Sequence, residues 1–154
     1  MKLNPNFKYA TMLVVEDNND QWQLMQQALK LALPELKFVR TSNAQQTLTW
    51  LDEQYREVFE SPRLILLDLY LPRREEGLRI LEEIKAKGAP FSQIPIIMFS
   101  SSDNKEDILL AYNQGVSSYT VKPVEFDEWI AFFNQIRSYW WETVRLPSVS
   151  RNLL

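Results

Sequence analysis

Arg63-Leu64-Ile65-Leu66-Leu67-Asp68-Leu69-Tyr70-Leu71-Pro72 is an apolar run closed by one carboxylate and then by a proline. A short continuous apolar run bounded by a turn signal reads as a strand buried on both faces. Asp68 then stands at the carboxyl end of a central parallel strand, and in open α/β sheets that edge is where ligands bind. Four other groups lie at or near the ends of apolar runs: Glu16, Asp17, Ser100 and Lys122. Together with Asp68 they carry the functional reading.

Upstream, residues 1–9 form a polar lead-in arm, and 10–15 form a first strand that stops at Glu16-Asp17-Asn18-Asn19. Asp20 is a candidate N-cap for a helix that places Trp22, Met25, Leu29 and Leu33 at helical spacing before Pro34. Residues 36–41 form a second strand. Ser42 or Asn43 caps a second helix running to about Phe59, with Leu48, Leu51, Tyr55 and Val58 on one face. Downstream of Asp68, residues 72–76 read as a polar loop with Gly77 near its end. Leu78, Leu81, Ile84 and Lys85 then mark a third helix closed by Gly88. Residues 95–99 form a fourth strand delivering Ser100-Ser101-Ser102, and Asp103 is a candidate cap for a helix ended by Gly115. Residues 117–121 form a fifth strand ending in Lys122-Pro123. A last helix spans about 125–144, and residues 146–154 read as a frayed tail. Strands alternating with helices of this length imply βαβ units. The expected fold is therefore α/β, a doubly wound five-stranded parallel sheet with five helices, the last one extended.

Composition narrows the chemistry. The 154 residues suffice for one domain, 10–145, with a proper core. The chain has no cysteine and no histidine, which excludes thiolate catalysis, disulfides, zinc-thiolate sites, a Ser-His-Asp triad and phosphoryl transfer through imidazole of this chain. A net charge of −3 gives no general attraction to nucleic acid or to an anionic membrane, and Arg73-Arg74 reads as solvated loop charge. No stretch is long enough to span a bilayer and the N-terminus has no signal-peptide core, so a cytoplasmic location is expected.

Glu16, Asp17 and Asp68 converging on one sheet edge repel one another unless a cation lies between them. Oxygen-only ligands suit Mg²⁺, with the Tyr70 backbone carbonyl as a further ligand. Lys122 neutralises part of the cluster and can hold a transferred phosphoryl group, to which Ser100 offers a hydroxyl. Such a site fits phosphoryl transfer onto Asp68, which depends on positioning and charge neutralisation.

These residues, in this order, resemble the receiver domain of the two-component response regulators. The resemblance rests on Val14-Val15-Glu16-Asp17-Asn18, Leu66-Leu67-Asp68-Leu69 with Pro72 and Gly77, Ser100-Ser101, and Tyr119-Thr120-Val121-Lys122-Pro123, and it covers about residues 10–140. It implies the flavodoxin-like receiver fold, with Asp68 as phosphoacceptor for a histidine kinase, Asp17 as a direct Mg²⁺ ligand and Glu16 as one acting through water. It also implies that Lys122 contacts the phosphoryl group and that Ser100 and Tyr119 form the switch. Ser101 lies where a small residue lets phosphate approach. Two departures stand out: the loop from Asp68 to Gly77 is longer than the family's spacing, and Tyr70 is bulky where water reaches the acceptor.

No output domain is expected after the receiver. The last helix carries Trp129, Phe132, Phe133, Ile136, Tyr139, Trp140, Trp141 and Val144, more apolar surface than one stripe needs. Trp129, Phe133, Trp140 and Trp141 are therefore candidate interface residues for a homodimer or kinase contact, the alternative being that the extra aromatics fold back on the domain. The Trp-rich end with Arg145-Leu146-Pro147 also resembles the small response regulators associated with bacterial phytochromes, which implies a phytochrome-type kinase as partner. Two rival functions compete with this reading. A phosphohydrolase of the haloacid dehalogenase type needs a second Asp two residues after the first, where this chain has Tyr70, so an enzyme beyond self-phosphorylation and dephosphorylation is not expected. The alternative is a receiver-like interaction and dimerisation module that is no longer phosphorylated.

Overall fold

The computed structural model describes residues 5–7, 10–58 and 61–147, with the side chains of residues 57 and 58 excepted. The expected facing of the Val58 side chain, the expected end of the second helix at Phe59, and residues 148–154 of the tail lie outside what is described. Five strands form one parallel sheet: β1 (Thr11–Val15), β2 (Lys37–Thr41), β3 (Leu64–Asp68), β4 (Ile96–Ser100) and β5 (Ser118–Val121). Their order across the sheet is β2-β1-β3-β4-β5. The helices are α1 (Asn19–Ala32), α2 (Ala44–Val58), α3 (Arg74–Ala86), α4 (Lys105–Asn113) and α5 (Phe126–Ile136).

The period of two along each strand sorts the core into two layers. Met12, Val14, Leu64, Leu66, Ile97 and Phe99 face α1 and α5. Leu13, Val15, Ile65, Leu67, Ile96 and Met98 face α2, α3 and α4. β3 and β4 are buried at every position, whereas the edge strands β2 and β5 are mostly part-exposed. That difference explains why the β3 segment reads as uninterrupted apolar sequence. The chain leaves β1 for β2 on one side and returns to β3 on the other. The strand order thus reverses at the carboxyl ends of β1 and β3, where Glu16, Asp17 and Asp68 are found.

Several local expectations are corrected. Asn18, not Asp20, caps α1, with Oδ1 accepting from Gln21 N at 2.9 Å. Asn104, not Asp103, caps α4, and Asn43 caps α2 by accepting from Gln46 N at 2.9 Å. The 72–76 segment is not all loop. α3 begins at Arg74 and Gly77 lies inside it. The glycine is required by close approach: a Cβ there would lie 2.7 Å from Leu69 Cα and closer still to its carbonyl oxygen. Gly88 and Gly115 do close α3 and α4 with positive φ, +75° and +98°.

The C-terminal aromatics are also corrected. After Ile136 the helix widens into a π-helical turn, Arg137–Thr143, in which Val144 N donates to Tyr139 O at 3.0 Å across five residues. An α-helix would bring position 140 onto the stripe of Trp129, Phe133 and Ile136. The wider turn brings Trp141 there instead and leaves Trp140 half-buried. Trp129, Phe133 and Trp141 are buried within the domain, so three of the four candidate interface residues belong to its own core.

Nor do residues 146 and 147 fray. Leu146 N donates to Asn6 Oδ1 at 3.0 Å, Asn6 Nδ2 donates to the carbonyls of Trp141 and Val144, and Arg63 donates to the carbonyls of Pro5 and Pro147. Part of the lead-in arm and the end of the chain thus close on each other over the amino edge of the sheet. Among the described residues no helix is long and apolar enough to cross a membrane.

Gly77→Ala is expected to lower stability by about 1–3 kcal/mol through overpacking against Leu69. Trp141→Ala is expected to cost about 3–5 kcal/mol through loss of core volume. Chemical denaturation of the two variants measures both.

Candidate functional site

The carboxyl ends of β1, β3, β4 and β5 deliver the site residues. Register does the placing: Val15 pairs with Leu67, Asp68 with Phe99, and Ser100 with Val121, so the residues that follow each strand meet at one level. Lys122 N donates to Ser100 O at 2.8 Å, which extends that register by one residue and points Lys122 at the edge.

Lys122 Nζ is the hub. It lies 2.9 Å from Asp68 Oδ2, 3.1 and 3.2 Å from the two Glu16 oxygens and 2.6 Å from Gln21 Oε1. It also sits 4.9 Å from the centre of the Phe99 ring, over its face. The side chains of Glu16, Asp68 and Lys122 are all nearly fully buried. Paired charges in such a place need hydrogen bonds to be tolerated. The second oxygen of Asp68 accepts from Tyr70 N at 3.2 Å. Asp17 is exposed at the rim. Around them opens a pocket of about 390 Å³, walled by Asn18 and Gln21 on one side and by Tyr70, Ser101 and Ser102 on the other.

One ammonium cannot balance three carboxylates. Glu16, Asp17 and Asp68 can each bring an oxygen within 4.8 Å of the others. Burial, reinforced by the neighbouring Asp68, pushes the Glu16 carboxyl up to about 8, with Lys122 acting in the opposite direction. An all-oxygen donor set with surplus negative charge fits a hard divalent cation.

Ser100 is buried at the end of β4, and its Oγ accepts from Ser102 N at 3.1 Å. Tyr119 on β5 donates its hydroxyl to Ser102 O at 2.8 Å. Burial raises the phenol's pKa, opposed by hydrogen bonds involving Ser100 and Ser102. Ser100 and Tyr119 are thus joined through one loop.

Every site residue expected from the sequence lies in or beside this pocket apart from the aromatics already described. Three participants were missed. Gln21 holds Lys122 from α1. Asp107, at the start of α4, accepts from Tyr70 Oη and Ser102 Oγ, both at 2.7 Å. Arg74 is not solvated loop charge but lies 3.0 Å from Asp107 Oδ1 and 3.2 Å from Glu106. A signal existed for two of them. Gln21 stands four residues before the buried Met25, and Asp107 four before the buried Ala111, so each is a polar residue on an inward stripe.

The profile of the response regulator receiver domain matches residues 12–134. The chain belongs to the response regulator receiver family. Its similarity extends to whole proteins. Response regulator Rcp1 of Synechocystis is 32% identical over 139 residues, covering 89% of this chain and 92% of the relative. The phosphorylated cyanobacterial phytochrome response regulator RcpA superposes with a TM-score of 0.80 at 30% identity, covering 91% of this chain and 99% of that one. The Mn²⁺-bound form of Rcp1 gives 0.76 at 29% identity, covering 90% and 99%. The fold is the flavodoxin-like receiver fold. The receiver's function is to take a phosphoryl group on an aspartate in two-component signalling, with a histidine kinase as partner and a divalent metal bound. Receivers are not enzymes in the usual sense.

The raised Glu16 carboxyl gives a pH dependence. A carboxyl whose folded pKa lies above its unfolded value contributes stability that is fully present below about 4.5 and is lost as pH rises through about 8. In chelator, the melting temperature is expected to fall across that window and Glu16→Gln to flatten the fall. Because a cation displaces the proton, divalent-cation affinity should rise up to roughly tenfold per pH unit over part of the same window. Thermal melts and calorimetric titrations at several pH values check both.

Proposed function

We propose that the receiver unit, residues 10–145, accepts a phosphoryl group on Asp68 from the phosphohistidine of a sensor histidine kinase, in a Mg²⁺-dependent phosphorelay. The observation that carries this reading is the setting of the Asp68 carboxylate: buried, open to a pocket, and held by Lys122 on one oxygen and by Tyr70 N on the other. An oxygen of Asp68 attacks phosphorus, the P–N bond to the kinase imidazole breaks, and its electron pair stays on the imidazole nitrogen. No proton need be moved by this chain, which accords with a site lacking histidine.

Glu16, Asp17, Asp68 and the Tyr70 carbonyl are the groups that would hold Mg²⁺, which supplies positive charge against the phosphoryl oxygens. Lys122 supplies the second positive charge from the side opposite the rim. The Ser100 hydroxyl, whose oxygen already accepts from Ser102 N, keeps its proton for a phosphoryl oxygen. Drawing Ser100 toward that oxygen alters its relation to Tyr119 and biases a two-state equilibrium of the α4–β5 surface.

That surface is where we propose a homodimer or kinase contact. Leu109 and Tyr112 of α4 and Val121 and Val124 of the β5 end are exposed apolar residues, with Val124 77% accessible. Similarity to phytochrome response regulators supports a phytochrome-type kinase as donor.

Incubation with acetyl phosphate and Mg²⁺ is expected to add one phosphoryl group by intact-mass spectrometry, with none on Asp68→Asn or in chelator. Equal labelling of the Asn variant contradicts the assignment. No adduct from acetyl phosphate or a kinase favours the unphosphorylated interaction module.

A further inference from the structure

Asp107 lies outside the group of residues that meet the phosphoryl group, yet three side chains converge on its carboxylate. It sits in the first turn of α4, where a negative charge is favoured, and its side chain is 2% exposed. Oδ2 accepts from the hydroxyls of Tyr70 and Ser102, and Oδ1 from Arg74. Burial pushes its pKa up, but the hydrogen bonds from Ser102, Tyr70 and Arg74 outweigh that and leave it below the usual carboxylate range. Tyr70 follows the phosphoacceptor by two residues and Ser102 follows Ser100 by two, and both wall the pocket over Asp68. Tyr70 is 39% exposed, so its ring stands partly in solvent at the pocket mouth. Its hydroxyl is tethered to Asp107 at 2.7 Å.

We propose that Asp107 is a positioning residue that clamps the Tyr70 ring and the Ser102 loop at the pocket mouth and thereby sets the lifetime of the phosphorylated state. The proposal rests on Asp68 being the phosphoacceptor. In the step it governs, a water oxygen attacks phosphorus and the P–O bond to Asp68 breaks. The carboxylate leaves with the electron pair, and the water proton goes to the released phosphate or to solvent. The clamped ring narrows the approach of that water. Because the same carboxylate belongs to α4, a shift of the helix loosens the ring, and binding at the α4 surface changes the lifetime in turn.

The test is the half-life of the phosphoryl adduct after removal of acetyl phosphate, followed by intact mass in Mg²⁺. Asp107→Asn and Tyr70→Phe are each expected to speed loss roughly three- to tenfold, the worth of one hydrogen-bond tether. Their double variant should be no faster than the faster single one, because both break one contact. Tyr70→Phe removes a single oxygen and keeps the measurement available should Asp107→Asn fold poorly. Asn43→Ala, which removes the cap of α2 remote from the pocket, should lower stability and leave the half-life unchanged. That separates the clamp from a general loss of stability. Adduct formation with unchanged or longer half-lives in Asp107→Asn and Tyr70→Phe, or additive effects in the double variant, overturns the clamp alone. Failure of the wild type to form any adduct overturns the receiver reading and the clamp with it.

Discussion

The buried ammonium of Lys122 is the interaction on which the rest of the site depends. Glu16 and Asp68 are almost entirely removed from water, and carboxylates in that position are strongly unfavourable unless opposed by positive charge. Lys122 touches both, from a strand that is not adjacent to either in the sheet. The contact therefore exists only if β1, β3, β4 and β5 keep a common register, and a slip of one residue in β5 would turn Lys122 to the opposite face. The two apolar layers, sorted by the alternation along each strand, are what hold that register. The core and the charged edge thus specify each other.

Lys122 leaves the edge under-neutralised. Its one charge faces three carboxylates, and burial together with the neighbouring Asp68 keeps the Glu16 carboxyl raised in spite of it. That deficit suits a site meant to take on a divalent cation and then a phosphoryl group. Gln21, a neutral acceptor, completes the coordination of the ammonium without adding to the negative charge.

Much of this was legible because strand ends are marked in sequence by apolar runs that stop at charged or hydroxyl residues. Glu16, Asp17, Asp68, Ser100 and Lys122 are each the first polar group or groups after such a run, or close to it, and the strands proved to lie within one or two residues of their expected bounds. What was not legible depends on contacts between segments. Gly77 reads as a loop residue until Leu69 is seen to lie against it. Trp140 and Trp141 cannot be assigned inward or outward without knowing that the helix widens after Ile136. Arg74 reads as solvated until Asp107 is placed beside it. The departures noted in sequence, the long loop and the bulky Tyr70, meet in one arrangement. Arg74, the first residue of α3 after that loop, reaches Asp107, and Tyr70 reaches the same carboxylate.

Reduction of the phosphorylated protein with borohydride, followed by peptide sequencing in the mass spectrometer, tests the placement of the acceptor most directly. An acyl phosphate on aspartate is reduced to homoserine at the residue that carried it. The account predicts homoserine at position 68 alone. Homoserine at position 17, or a phosphoryl group found on Ser100, Ser101 or Ser102 with position 68 unmodified, would contradict it.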